Sequence, residues 1–176
     1  MGVVKQPEPV KLFVAVMYAP GFDPGPAAAL LRHEFGIEYC SYGPVDFVFS
    51  DYYAKDMGGD LKKSYHCYET PIDRGRLAAI KNRTNAIEAA NAGPGGRRIN
   101  IDPGYLSRDK LVLATTKDFY HRIYLGDGIH AEVTLHFREG RYRHFSWTYP
   151  DYREPDFQAM LMKARARLVH QLREHA

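Results

Sequence analysis

Cysteine is scarce, with two in 176 residues, Cys40 and Cys67, and no CxxC pair. That count excludes a disulfide framework and a cysteine-built zinc centre. Nothing adjacent to either residue lowers a thiol pKa, so both read as small buried apolar side chains rather than nucleophiles. No apolar run approaches the roughly eighteen residues of a membrane-crossing helix, and no leader-like stretch opens the chain. The expected setting is the reducing cytoplasm. A phosphate loop is missing as well. The Gly-Pro-rich stretch from Ala19 to Pro26 lacks the lysine that would hold a β- or γ-phosphate. Asp46, Asp51 and Asp56 have no histidine among them and are spaced like surface acids, so neither a metal centre nor a cofactor is expected. Charge of one sign is also lacking: the net charge of +3 is too weak to imply nucleic acid by itself.

Tyrosine is abundant, with 13 residues against a single tryptophan. A tyrosine ring buries while its hydroxyl seeks a partner, which suits half-buried surfaces and sites. Hydrophobic residues make up 45% of the chain, enough for one core, and the length fits a single domain over 1–176 with a short arm at 1–9.

Val10 to Tyr18 is a near-continuous apolar run that predicts a central strand buried on both faces. A helix over Ala27 to Phe35 ends at Gly36. An extended segment from Ile37 to Ser50 carries Gly43-Pro44, which demands a bulge or an edge. A strand over Leu61 to Thr70 follows. Asp73 then caps a helix from Leu77 to Ala92, with Leu77, Ile80, Thr84 and Ile87 on one stripe and Lys81, Asn85 and Glu88 beside it. A strand over Arg97 to Asp102 is cut off by Pro103-Gly104. This order predicts an α+β fold with a ferredoxin-like βαββαβ core, its antiparallel sheet covered by both helices on one face.

Ser107 caps an expected helix over Arg108 to Lys117, for which a strand is the rival reading. A three-stranded antiparallel meander then extends the core. The loops Gly126-Asp127-Gly128 and Arg138-Glu139-Gly140, read as three residues each, pair Ile123 with Ala131, Leu125 with Ile129 and Val133 with Phe145. One meander face is apolar and takes His121. The other carries Tyr120, Arg122, Tyr124, His130, Glu132, Thr134, His136 and His144, with Arg122 opposite Glu132. A long C-terminal helix over Glu154 to Glu174 buries Phe157, Leu161, Ala164, Leu168 and Leu172.

Polar residues concentrate near the broken tip of the Arg97–Asp102 strand. Asn100 and Asp102 share one strand face there. Asp102 and His121 are the candidate catalytic pair, since a carboxylate beside an imidazole orients it for acid or base work. Asn100, Lys110, Arg122, Lys81, Asn85 and Glu132 are the candidate ligand-binding residues, with Arg122 and Lys110 suited to an anion.

The blocks DYYAKDMG, IKNRTNAIE, RRINIDPGYL, KLVLATTKDFYHRIYL and WTYPDYR resemble a bacterial family catalogued as domain of unknown function 4416, over residues 10–153 most clearly. The resemblance implies no established activity and no catalytic residues. Some members carry a GTP-binding label, but Thr115-Thr116-Lys117-Asp118 approaches the guanine-reading [NT]KxD with its Asp one place early.

Two function classes remain. The first is a protein that binds or acts on an anionic small molecule, phosphorylated or nucleotide-like, and needs the polar residues to converge in one pocket. The second is a non-catalytic RNA- or protein-binding module, which needs exposed aromatics on an open sheet beside basic residues. The residues commit the chain neither to catalysis nor to an oligomeric state.

Overall fold

The computed structural model describes residues 2–174. Met1 of the expected arm, His175, Ala176 and the side chains of Asp51, Ala54 and Lys55 lie outside the described residues. Eight strands form one antiparallel sheet: β1 Val10–Tyr18, β2 Glu38–Asp46, β3 Lys62–Ile72, β4 Ile99–Leu106, β5 Lys110–Thr115, β6 Ile123–Gly126, β7 Ile129–Arg138 and β8 Arg141–His144. The order across the sheet is β2-β3-β1-β4-β5-β7-β6, with β8 also paired to β7. The helices are α1 Gly25–Phe35, the single-turn α2 Ala54–Met57, α3 Leu77–Ala90 and α4 Pro155–Glu174. Among the described residues no helix is long and apolar enough to cross a membrane.

The unbroken apolar run of β1 is explained by what covers it. Leu12, Val14 and Val16 pack against Ala27 and Leu31 of α1 and Ile80 and Ile87 of α3. Phe13 and Ala15, on the opposite face, pack under Phe157, Leu161 and Ala164 of α4. Strand alternation thus divides β1 between two cores, α1 and α3 below the sheet and α4 above it. Phe13, Tyr65, Tyr152 and Phe157 interlock at ring-centroid distances of 4.7 to 6.3 Å. These four aromatics form one contiguous ring cluster within the upper core.

Three expectations about local structure need correction. The helix over Arg108 to Lys117 is strand β5, and Ser107 closes the tight turn before it. Its Oγ accepts from Lys110 N at 3.2 Å and donates to Asp109 Oδ1 at 2.5 Å. A four-residue apolar run, Leu111 to Ala114, fits either element by periodicity, and pairing to both β4 and β7 decides for the strand.

β4 is not cut off at Pro103-Gly104 but runs on to Leu106. Ile101 N and O point away from β1, and Pro103, two residues on, presents its missing N–H to that same edge. Pairing with β5 therefore begins only at Gly104, opposite Leu113.

The hairpin loops have two residues rather than three. Asp127-Gly128 and Glu139-Gly140 all have φ between 52° and 79°, the signature of a type I′ turn, whose twist matches that of the strands. Ile123 and Ala131 pair as expected and Tyr124 opposes His130, but Leu125 is bulged out and Gly126 opposes Ile129. In the second hairpin Leu135 opposes His144, not the expected Val133–Phe145 pairing. The apolar face survives because Phe137 then meets Tyr142 inside, while His144 falls at the exposed strand end.

Gly104 is where β4 and β5 converge. A Cβ built there would sit 2.2 Å from Val112 O and 2.8 Å from Leu113 Cδ2. Backbone at that distance cannot yield cheaply. Gly104→Ala is expected to destabilise the protein by on the order of 3 kcal/mol, read as a lower denaturant midpoint with unchanged slope. A change under about 0.5 kcal/mol, the size of an ordinary surface substitution, would contradict this account of the strand crossing.

Candidate functional site

Between Ile99 and Asp102 on one side and Ala114 and Thr115 on the other, the two strands part. The opening leads into a cleft of about 530 Å³, within the size range of small-molecule sites. Its floor is the upper sheet face: Lys63 of β3, Asn100 and Asp102 of β4, Leu113 and Thr115 of β5, and Glu132 of β7. One wall is Phe47, Ser50, Tyr52 and Tyr53, before α2. The other is Tyr149, Asp151 and Tyr152, in the turn before α4. Lys81, Asn85 and Glu88 of α3 reach it from beneath, through the split.

The split exposes a backbone edge that α3 satisfies. Lys81 Nζ donates to Ile101 O at 2.9 Å, and Ile101 N donates to Glu88 Oε1 at 2.7 Å. Two side chains seven apart on one helix face thus complete the hydrogen bonds that β5 would have made. Lys81 also donates to Asp102 Oδ1 at 3.1 Å, and Asn100 Nδ2 donates to Asp102 Oδ2 at 2.7 Å. Arg97 Nη1 donates to Asn100 Oδ1 at 3.0 Å, and its other nitrogens hold Asp56.

Burial alone would raise the Asp102 carboxyl. The ammonium charges of Lys81 and Lys63, with hydrogen bonds from Lys81 and Asn100, outweigh it and hold the group below the ordinary carboxylate range. Glu88 moves the other way: burial pushes it up, against the pull of Lys81 and the Ile101 amide.

A second buried pair closes the inner end. Lys63 Nζ donates to Asp151 Oδ2 at 2.6 Å, and Tyr65 OH donates to the same oxygen at 2.7 Å. The ammonium also lies 4.9 to 5.3 Å from the ring centroids of Phe47, Tyr65 and Tyr152. At the outer end Lys117 Nζ bonds Tyr52 OH and sits 4.2 Å from that ring's centroid, bridging the mouth. The hydrogen bond and charge of Lys117 lower the Tyr52 phenol.

His121 does not lie on the apolar face. β6 starts only at Ile123, and a turn closed by Arg122 N to Phe119 O at 2.9 Å breaks the alternation. His121 Nε2 and Arg122 Nε both meet Glu132 Oε2, at 3.0 and 2.9 Å. The imidazole stacks on Trp147 at 4.9 Å, and Trp147 stacks on Phe145 at 4.7 Å. Trp147 is itself fixed by Nε1 to Val133 O at 3.0 Å.

Of the residues singled out from the sequence, Asp102, Asn100, Lys81, Asn85, Arg122 and Glu132 line the cleft. His121 stands behind Glu132, bonded to that carboxylate and not to Asp102 or Asp118. Lys110 is at the far end of β5, opposite His136 and 3.5 Å from Asp109, and does not join them.

Sequence reasoning passed over Lys63, Asp151, Arg97 and the Tyr52–Tyr53 wall. Lys63 had a signal: it shares the inward row of β3 with Tyr65 and Cys67, where a cation is out of place unless paired. Among the described residues no group of three or more histidine, cysteine or acidic side chains is arranged to hold a metal ion.

A family model described as a domain of unknown function, DUF4416, matches residues 8–168, and the chain belongs to that family. No curated protein and no solved structure was found to match it.

Two outcomes are expected. Lys81→Met removes the ammonium that Glu88 and Asp102 share and the donor to Ile101 O, and should cost about 3–5 kcal/mol, measured by chemical denaturation; a loss below about 1 kcal/mol would contradict the role given to Lys81. The Asp102 pKa is lower folded than unfolded, so its stabilisation is complete above the unfolded value of roughly 3.9 and disappears as pH falls toward the folded one. Asp102→Asn should therefore flatten the loss of stability in acid relative to wild type, and an unchanged acid limb would rule the contribution out.

Proposed function

We propose that this member of the DUF4416 family binds an anionic small molecule, phosphorylated or nucleotide-like, in the cleft where β4 and β5 part. The observation that carries the reading is the outer end of the cleft. There Lys117 has a tyrosine hydroxyl, and no carboxylate among the described residues, as its partner, and Arg122 stands next to it with Nη1 on Lys117 O at 3.1 Å.

The inner cations Lys63, Lys81 and Arg97 are matched by Asp151, Asp102, Glu88 and Asp56, so an anion gains most at the mouth. Tyr52, Tyr53, Phe47 and Tyr149 supply ring faces for a planar group. Asn100 and Asn85 offer amides. Asp102, ionised and facing the cleft, is the group in this reading that would accept a proton or a hydrogen bond from the ligand. His121 acts through Glu132 as a positioning residue for Arg122.

The first half of the chain is read as a ferredoxin-like unit, supported by the order β2-β3-β1-β4 with α1 and α3 on one face. The free thiols Cys40 and Cys67 suit a cytosolic setting. Coverage of the central strands on both faces weighs against the alternative of an open, aromatic RNA-binding sheet.

A thermal-shift series with inorganic phosphate, pyrophosphate and nucleoside mono-, di- and triphosphates tests this. At least one should raise the melting temperature with the logarithm of its concentration. Lys117→Ala and Arg122→Ala should each weaken that binding about tenfold, the loss of one charge-assisted hydrogen bond. No shift with any of these anions, together with retention of RNA on a filter, would overturn the proposal in favour of the RNA module.

A further inference from the structure

Cys40 and Cys67, 27 positions apart in the chain, are direct partners across the β2–β3 ladder. Directly opposed residues of an antiparallel pair hold their Cα atoms about 4.5–5.5 Å apart. A disulfide spans Cα separations of roughly 4.4–6.8 Å, a range that covers the spacing of directly opposed residues. Both residues are free thiols, and both point up under α4. Cys40 Sγ lies 3.8 Å from Met160 O, and Cys67 Sγ lies 3.8 Å from Met160 Sδ. Cys67 is fully buried, whereas Cys40, on the edge strand, is only half-buried.

The two thiols are unequal. The hydrogen bond from Cys67 lowers the Cys40 thiol against the opposing push of burial, and the ammonium charges of Lys163 and Lys11 add to it. The same bond and complete burial raise Cys67 well above the ordinary thiol range. The more accessible sulfur is thus also the more acidic one, the combination that makes a thiol the first to be oxidised.

We propose that Cys40 and Cys67 form a redox modification site, a cross-strand dithiol that hydrogen peroxide closes into an intrachain disulfide. The Cys40 thiolate sulfur attacks one peroxide oxygen and the O–O bond breaks. The departing hydroxide takes a proton to become water, and Cys40 becomes a sulfenic acid. The Cys67 sulfur then attacks the Cys40 sulfur, the S–O bond breaks, and the Cys67 proton leaves on the expelled oxygen as a second water. Two thiols have been oxidised by two electrons and one peroxide reduced. The closed loop contains Phe47, Tyr52, Tyr53 and Lys63, so the bond ties one wall of the cleft to the sheet.

The test treats the full chain with hydrogen peroxide and follows intact mass, free thiols and non-reducing electrophoresis, for wild type, Cys40→Ser and Cys67→Ser. Wild type should lose the mass of two thiol hydrogens and both titratable thiols together, as a monomer, reversibly with dithiothreitol. Cys67→Ser should instead accumulate a dimedone-reactive sulfenic acid at Cys40, and Cys40→Ser should form neither product at a comparable rate. The proposal is overturned if wild type keeps both thiols, if it forms only intermolecular dimers, or if Cys40→Ser reacts with dimedone as fast as Cys67→Ser. The wild-type mass change decides the matter even where a variant fails to fold.

Discussion

The architecture depends on how the backbone of Ile101 finds its hydrogen bonds. In a continuous sheet its amide and carbonyl would pair with β5. Pro103 removes the next donor on that edge, Gly104 brings the strands together just beyond it, and the sheet opens behind them. A buried amide and carbonyl left unpaired each cost about 1–3 kcal/mol. Lys81 and Glu88 remove that penalty, and in doing so they fix a cation and a carboxylate at the bottom of the opening.

From that substitution of side chain for strand comes the character of the cleft. Every buried charge in it has a partner close by: Lys81 with Asp102 and Glu88, Lys63 with Asp151, Arg122 with Glu132. Such pairs contribute little net stability against apolar replacements, but they hold polar groups in fixed positions where a ligand can meet them without reorganisation. The aromatic rings close the arrangement. Tyr152 belongs to the upper core and to the cleft lining at once, and Tyr65 reaches Asp151 from that same core, so packing under α4 sets where Asp151 stands. The Phe145–Trp147–His121 stack does the same for Glu132 and Arg122 at the other end.

Much of this was legible in the residues, for identifiable reasons. β1 reads as doubly buried because it is, and the stripe Leu77, Ile80, Thr84, Ile87 reads as a core face because a long helix repeats its signal over four turns. The neighbouring stripe of Lys81, Asn85 and Glu88 was visible as a polar seam for the same reason. β5 was not legible, since six residues give periodicity too little length. Nor was the register of the second hairpin, because Glu139 in a left-handed conformation is a choice made by strand twist, not by residue preference. His121 was misplaced by extending an alternation through a turn. Lys63 and Asp151, 88 residues apart, meet only because α4 folds back over the sheet, and no local pattern joins them.

The measurement closest to the centre of this account is amide hydrogen exchange at Ile101, followed by NMR in wild type and in Glu88→Ala. The Ile101 amide should be well protected in wild type and lose protection by at least about tenfold in Glu88→Ala, the exchange equivalent of roughly 1.4 kcal/mol. Leu106, beyond the split, should stay protected in both. An Ile101 amide that exchanges freely in wild type, or one that Glu88→Ala leaves untouched, would contradict the claim that α3 takes the place of β5 there.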